Sequence, residues 1–220
     1  MDHQERIPAA LFDFDGTLLA GDSIVWWLRF CVRKGIAPRQ QWLKAGAGYI
    51  LQRFRPSQVT LAKQMSLSYL KGRTVREMDA LAEEFMQQEI RKRLYPDAVR
   101  EMRKLSEEGF RIIVITASPS VYMRMLPILL PVHTVLATTC LETDGKYTGK
   151  VGPNCRGEQK IVRWDAWRDS RMQTVRAYGD SRSDLPMLRL AEEPCLVNAD
   201  AKLKKALPQA RCVEWQQNEV

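Results

Sequence analysis

The segment Ala9-Ala10-Leu11-Phe12-Asp13-Phe14-Asp15-Gly16-Thr17, close to the start of the chain, decides the fold. Its apolar first half predicts a short strand buried on both faces, the kind found in parallel sheets. Two aspartates follow, and Gly16 allows the backbone to turn sharply after them. Residues two apart in an extended chain share a face, so both carboxylates can enter one cleft.

The chain from residue 92 onward alternates strands with helices. Strands are predicted at 111–115, 132–137, 174–178 and 195–197, a hairpin at 142–151, and helices at 97–108, 157–168 and 184–191. This alternation predicts an α/β fold with a Rossmann-like core, a mostly parallel sheet covered by helices on both faces. Ser118 followed by Pro119 predicts a further helix start, a cap residue and then a first-turn proline.

Residues 20–91 have a different character, with few glycines, helix-favouring stretches and no convincing strand. We expect about four helices here, one opened by a capping box at Thr74 and Glu77. The predicted organisation is an α/β core formed by residues 1–19 and 92–220, with a helical second domain, residues 20–91, inserted after the first strand.

The positive charge of the protein is concentrated in this insertion. The net charge is +8, yet residues 20–73 contain ten Lys or Arg and a single acid, Asp22. Trp26, Trp27 and Trp42 lie among these cations. The pattern fits an aromatic inner face with a solvated cationic outer face. It fits equally a cationic, aromatic surface for a phosphorylated or lipidic anion, such as a membrane surface. Nucleic acid is a weaker choice because no binding motif accompanies the charge.

Composition excludes several other classes of protein. The chain has 220 residues, and its five cysteines are scattered and never spaced C-x-x-C, which fits neither a disulfide scaffold nor a zinc module. No apolar run approaches the length of a membrane helix, and the first residues do not resemble a signal peptide. We therefore expect a cytoplasmic protein.

Four polar segments fall where parallel strands are predicted to end, which is where open α/β sheets bind their ligands. They contain Asp13 and Asp15, then Thr116, then Lys160, and finally Asp180 and Asp184 in Gly179-Asp180-Ser181-Arg182-Ser183-Asp184. Grouped carboxylates repel one another unless a cation joins them, and oxygen ligands suit magnesium. A hydroxyl and a lysine near helix starts can bind phosphate. Each segment alone also has a structural explanation as a cap, a turn or a surface residue.

In this order, the four segments resemble the motifs of the haloacid dehalogenase superfamily, and the insertion after the first motif resembles the phosphoserine-phosphatase-like branch (subfamily IB). The resemblance implies a Mg²⁺-dependent phosphomonoester hydrolase with Asp13 as nucleophile, forming an aspartyl-phosphate, and Asp15 as general acid–base. It implies that Thr116 and Lys160 bind the phosphoryl group and that Asp13, the Asp15 carbonyl and Asp180 hold the metal, with Asp184 nearby.

The resemblance also implies that the inserted helices form a cap over the substrate, a small phosphorylated metabolite similar to phosphoserine. Substrate contacts fall to Gly16, Thr17, Ala117 and Ser118. Asp22 lies seven residues beyond Asp15, where phosphoserine phosphatases carry a substrate-contacting glutamate; a helix cap or an arginine partner explains it equally well.

Three alternatives stay open at this stage. Departures from the phosphoserine-specific pattern, such as Thr116-Ala117-Ser118 in place of Ser-Gly-Gly, weigh against phosphoserine itself. The basic, Trp-rich cap raises a lipid phosphate of the phosphatidylglycerophosphate type as a second substrate hypothesis. A transferase passing the phosphoryl group to another alcohol would use the same residues. A non-catalytic phosphate- or metal-binding regulator on the same fold is the alternative of a different class. The sequence does not determine the oligomeric state.

Overall fold

A computed structural model describes residues 6–217, without the side chains of residues 52, 53 and 56. The strands are β1 (Ile7–Phe12), β2 (Arg111–Pro119), β3 (Thr134–Thr138), β4 (Cys140–Thr143), β5 (Lys146–Val151), β6 (Met172–Gly179), β7 (Glu193–Val197) and β8 (Arg211–Val213). The helices are α1 (Ser23–Arg33), α2 (Gln41–Phe54), α3 (Val59–Leu67), α4 (Val75–Phe85), α5 (Pro96–Glu107), α6 (Ser120–Met123), α7 (Glu158–Trp167), α8 (Leu185–Leu190) and α9 (Ala201–Ala206).

Six strands form one sheet in the order β3-β2-β1-β6-β7-β8, and every neighbouring pair is parallel. The predicted α/β fold is confirmed. Strand β1 lies between β2 and β6, so the later strands are added to the sheet on both sides of β1. The ends of these three strands therefore lie side by side, at the edge where such sheets bind ligands.

The apolar run of β1 is buried on both faces, as its sequence predicts. Ala10 and Phe12 join the larger core cluster, while Ala9 and Leu11 join the second cluster on the opposite face of the sheet. Phe12 stacks on Tyr178 of β6 with ring centroids 4.3 Å apart. Because both faces are covered, β1 is a fixed platform for the residues that follow it.

Helices α1 to α5 lie between β1 and β2 in the chain, and α1 to α4 fall within residues 20–91. Trp27 of α1 contacts Phe85 of α4 and Tyr122 of α6, with centroid distances of 5.0 and 5.3 Å. This aromatic cluster joins the inserted helices to the residues that follow β2. Thr74 caps α4 by accepting from the Glu77 amide, but the Glu77 carboxylate pairs with Arg73, so the structure shows only half of the predicted capping box.

The hairpin β4–β5 contacts the inserted helices as well. The amide of Gly72 donates to the carbonyl of Tyr147, and the amide of Tyr147 donates to the carbonyl of Arg73, at 2.8 and 2.9 Å. Within residues 6–217, none of the helices combines the length and apolar character needed to cross a bilayer.

The predicted helix start at Ser118 and Pro119 differs from the structure. Ser118 and Pro119 belong to β2, and α6 begins only at Ser120, so the predicted helix start was wrong. The Ser118 amide donates to the hydroxyl of Thr116 at 3.0 Å and its side chain is engaged elsewhere, so it does not cap a helix. Helix α9 and strand β8 had no counterpart in the sequence analysis.

Candidate active site

The ends of β1 and β6 bring three carboxylates together. Asp13 follows β1, and Asp180 and Asp184 follow β6; one oxygen from each lies within 4.8 Å of the other two. Asp13 and Asp184 are buried, and Asp180 is half-buried. The register of β1 against β6 places Phe12 beside Tyr178, so the residues after them leave the sheet as neighbours.

Lys160, the third residue of α7, provides the cation of this cluster. Its ammonium lies 2.5 Å from an Asp13 oxygen and 2.7 Å from an Asp184 oxygen, and its side chain is 1% exposed. Burial alone would lower the pKa of Lys160, but the two carboxylates outweigh it and hold the pKa above its ordinary value. The lysine therefore stays charged.

One lysine does not balance three carboxylates. Burial raises the pKa of Asp13 well above its ordinary value, and the charges of Asp184 and Asp180 raise it further against the opposing effect of Lys160. Burial, followed by the charge of Asp184, raises the pKa of Asp180 to about 6. The cluster carries two uncompensated negative charges when all its carboxylates are ionised.

These residues fit a divalent cation. The atoms that could coordinate a metal in this cluster are carboxylate oxygens, the ligand type that magnesium prefers. A charge of +2 would balance the two uncompensated negative charges. Asp13 contacts Lys160 through one oxygen, and Asp180 accepts from Thr17 through one oxygen. Asp184 contacts Lys160 through one oxygen and accepts from the amide and hydroxyl of Ser181 through the other, at 3.1 and 2.9 Å.

Glycines permit the close approach of these segments. Gly16 has φ +84°, and a β-carbon there would lie 2.3 Å from an oxygen of Asp180. At Gly179 a β-carbon would lie 2.6 Å from that of Asp184. A side chain at either glycine would push a carboxylate away from the cluster.

The Asp15 carboxylate points away from this cluster, toward α1 and the end of β2. One oxygen accepts from the Ser23 amide at 2.7 Å, and the other accepts from the hydroxyl of Ser118. Burial, with a further contribution from the Asp22 charge, raises the pKa of Asp15 to about 6, although the bonds from Ser118 and Ser23 oppose the rise. A carboxyl with this pKa can release and take up a proton near neutral pH.

A row of buried hydroxyls extends from Asp15 into the aromatic cluster. The Ser23 hydroxyl lies 2.8 Å from the Ser118 hydroxyl and 2.8 Å from that of Tyr122. Because Ser118 donates to Asp15, the Ser118 oxygen accepts from Ser23, and Ser23 accepts from Tyr122. The packing of Tyr122 against Trp27 thereby fixes the position of the Asp15 carboxylate.

Thr116 and its neighbours form the β2 side of the site. Thr116 is buried and lines the same cleft as Asp13, as do Ala117, Ser118 and Lys160. The other predicted substrate contacts divide: Gly16 lines the cleft, whereas Thr17 is buried and donates to an oxygen of Asp180 at 3.0 Å. Thr17 therefore orients a carboxylate of the cluster.

The cleft has a volume of about 590 Å³ and lies between the sheet edge and helices α1 to α3. Its inner end is polar, and its outer end is lined by apolar and aromatic side chains, among them Ile24, Trp42 and Tyr49. Asp22 lines the cleft and also caps α1, accepting from the Ile24 amide at 3.1 Å. The structure therefore shows the helix cap, and the predicted contact of Asp22 with substrate stays a prediction.

Lys63 is a cleft residue that the sequence analysis missed. It reaches from α3 into the cleft and donates to the Ala117 carbonyl and to the side-chain oxygen of Asn154. Burial lowers its pKa to about 8, against the opposing charges of Asp15 and Asp22. Nothing in its sequence neighbourhood distinguishes it from the other lysines of this basic segment.

Comparison with known proteins agrees with this geometry. Residues 10–189, most of the chain, match the family of haloacid dehalogenase-like hydrolases. A histidinol-phosphatase of Neisseria meningitidis is 29% identical over 89% of this chain and 92% of its own length. The phosphoserine phosphatase SerB1 of Mycobacterium tuberculosis is 31% identical over 89% of this chain and 66% of its own length.

Solved structures share the fold. A protein of unknown function from Bordetella pertussis Tohama I superposes with a TM-score of 0.82 at 26% identity, covering 94% of this chain and 98% of that one. A phosphoserine phosphatase in its apo form superposes with a TM-score of 0.57 at 18% identity, covering 98% and 96%. With the six-stranded sheet and the convergent carboxylates, these matches show that the chain belongs to the haloacid dehalogenase-like hydrolases, with the fold of their phosphoserine-phosphatase-like members.

Proposed function

We propose that this phosphatase is a magnesium-dependent phosphomonoester hydrolase that works through an aspartyl-phosphate on Asp13. One observation carries the proposal: two aspartates only two residues apart occupy different environments. Asp13 lies against Lys160 in the carboxylate cluster, whereas Asp15 accepts from the hydroxyl of Ser118 and from the backbone amide of Ser23. Such a division assigns separate tasks to two neighbouring carboxylates.

In the first step, an oxygen of Asp13 attacks phosphorus, and the bond from phosphorus to the ester oxygen breaks. Asp15 gives its proton to the departing alkoxide. In the second step, water attacks the aspartyl-phosphate, Asp15 takes a proton from that water, and the bond between phosphorus and Asp13 breaks to release phosphate. A pKa of about 6 suits Asp15 to both steps.

Fixed donors around the phosphoryl group would lower the barrier, because negative charge spreads over its oxygens in the transition state. Lys160 and the hydroxyl of Thr116 are the candidates, both buried at the inner end of the cleft. Asp13, Asp180 and the Asp15 carbonyl would hold Mg²⁺, with Asp184 orienting the site. The ion would neutralise charge on the phosphoryl oxygens.

The inserted helices, residues 20–91, act in this proposal as a cap that shields the reaction from water and contacts the leaving group. Asp22 and Lys63 both line the cleft, where they would offer an anion and a cation to the leaving group. This pairing supports a small phosphorylated metabolite with an amine and an anionic group, as in phosphoserine. The same proposal places the protein in the cytoplasm, where its free thiols would stay reduced.

A lipid-phosphate phosphatase is the second candidate, favoured by one observation. The outer end of the cleft is lined by Trp42 and Tyr49, both exposed at the rim. A non-catalytic regulator is a weaker explanation, because binding phosphate or metal alone does not require Asp13 and Asp15 to lie in separate environments.

Asp13→Asn tests the chemistry. We expect turnover of p-nitrophenyl phosphate with Mg²⁺ to fall below detection, because the amide is a poor nucleophile, while the fold persists. Asp144→Asn is the matched control, since Asp144 lies in the exposed β4–β5 turn at φ 52°, which asparagine tolerates. An active Asp13→Asn protein would refute the nucleophile assignment. A panel of phosphorylated metabolites and dispersed lipid phosphates then separates the two substrate candidates.

A further inference from the structure

The outer surface of α2 carries an unusual concentration of exposed apolar side chains. Five large ones lie on this single helix, with exposed fractions from 40% to 80%: Trp42, Leu43, Tyr49, Ile50 and Phe54. Helical spacing groups Leu43, Ile50 and Phe54 in one stripe, with Trp42 and Tyr49 along its side. Large exposed apolar side chains grouped on one helix in this way are typical of interaction sites.

The inner face of α2 is fixed, so this stripe cannot turn inward. Gly48 is buried so close to α3 that a β-carbon there would lie 2.7 Å from the Ala62 carbonyl. The side-chain amide of Gln41 donates to the carbonyls of Met65 and Ser66 at 2.7 and 3.0 Å. These contacts hold the opposite side of the helix, the apolar stripe, outward.

The charge around the stripe indicates what covers it. The sequence contains no acidic residue between Asp22 and Glu77. The exposed cations Arg39 and Arg55 flank α2, and the exposed Lys44 lies within it. A helix with apolar residues on one face and cations beside them is typical of binding to the interface of an anionic membrane. A symmetric contact with a second copy would instead bring the same cations against one another.

We propose that the outer face of α2 docks on an anionic lipid bilayer. Leu43, Ile50 and Phe54 enter the headgroup region, and the flanking cations contact lipid phosphates. Because Trp42 and Tyr49 belong both to this face and to the rim of the cleft, docking places the mouth of the cleft beside the bilayer surface. The binding does not depend on the proposed chemistry.

Co-sedimentation with vesicles tests the proposal. The full chain should bind vesicles that mix phosphatidylglycerol with phosphatidylcholine at low salt. Its binding to pure phosphatidylcholine vesicles should be weaker by about tenfold or more, because the cations then lack anionic headgroups to contact. Asp13→Asn should bind as well as the unaltered chain, so a failure of the proposed chemistry does not affect the result.

A triple variant, Leu43→Ser with Ile50→Ser and Phe54→Ser, should lose about tenfold or more of the vesicle partitioning. None of the three lines the cleft, so hydrolysis of soluble p-nitrophenyl phosphate should be unchanged and reports that the protein is folded. Val162→Ser is the matched control, because Val162 of α7 is 56% exposed on another helix.

The proposal is overturned by absence of binding to the anionic vesicles at low salt. It is overturned equally by undiminished binding of the triple variant. Light scattering adds a third decisive outcome: a dimer of the unaltered chain that the triple variant abolishes would show that a second copy, rather than a bilayer, covers α2.

Discussion

Asp180→Asn should stabilise the protein in the absence of metal while impairing the site. The substitution removes one charge from the carboxylate cluster but keeps the size of the side chain and the oxygen that accepts from Thr17. In the folded protein, burial raises the pKa of Asp180 from 3.8 to about 6. A difference of this size corresponds to about 3 kcal/mol of free energy.

The sign follows from proton binding. The folded state holds a proton on Asp180 more tightly than the unfolded chain does, so the free energy of unfolding decreases as pH rises from about 4 to about 6 and then levels off. Asparagine does not titrate. The gain from Asp180→Asn should therefore approach about 3 kcal/mol at pH 8 and vanish near pH 4.

Urea unfolding followed by tryptophan fluorescence in EDTA measures this difference at several pH values. Adding Mg²⁺ should stabilise the unaltered protein and have much less effect on Asp180→Asn, because binding to the folded state alone raises its stability. Asp144→Asn, in the exposed hairpin turn, controls for the loss of a carboxylate. A variant no more stable than the unaltered protein at pH 8 in EDTA would refute the reasoning that uncompensated charge strains this cluster.

Two further substitutions test the geometry. Gly16→Ala should reduce turnover by about a hundredfold or more, because the added β-carbon would displace Asp180. That magnitude is the usual cost of losing a catalytic electrostatic contact. Steady-state kinetics at saturating Mg²⁺ measure the loss, and a fully active variant would contradict the close approach of Gly16 to Asp180. Ser118→Ala should slow the hydrolysis of alkyl phosphates about tenfold more than that of p-nitrophenyl phosphate. Asp15 would lose the hydrogen bond from Ser118 that positions it, and only the alkoxide, the poorer leaving group, depends on the proton that Asp15 gives. Equal losses on both substrates would contradict a role in positioning the acid.

Local sequence was sufficient to predict the sheet and the carboxylate cluster. An unbroken apolar run such as 111–115 predicts a buried parallel strand, because period and composition are local properties. The polar residues at strand ends follow from the same logic, since the ends of parallel strands meet at one edge. Asp13, Asp180 and Asp184 were predicted to meet, and the structure brings them together.

Other contacts between distant segments could not be predicted from the sequence. Ser118 has the local signature of a helix cap, and only the structure shows its hydroxyl bonded to Asp15, 103 residues away. Strand β8, three residues long, exists because β7 offers it a free edge. Such elements depend on a partner that local propensity does not contain.

Sequence alone therefore determined which polar side chains gather and the sheet edge at which they do so. The tertiary structure decided their environments: Asp13 among charges, Asp15 among hydroxyls, Lys63 inside the cleft and the apolar face of α2 outside. The reason is physical. A side chain's type is fixed by the chain, whereas its burial, its neighbours and hence its pKa are fixed by segments that meet only on folding.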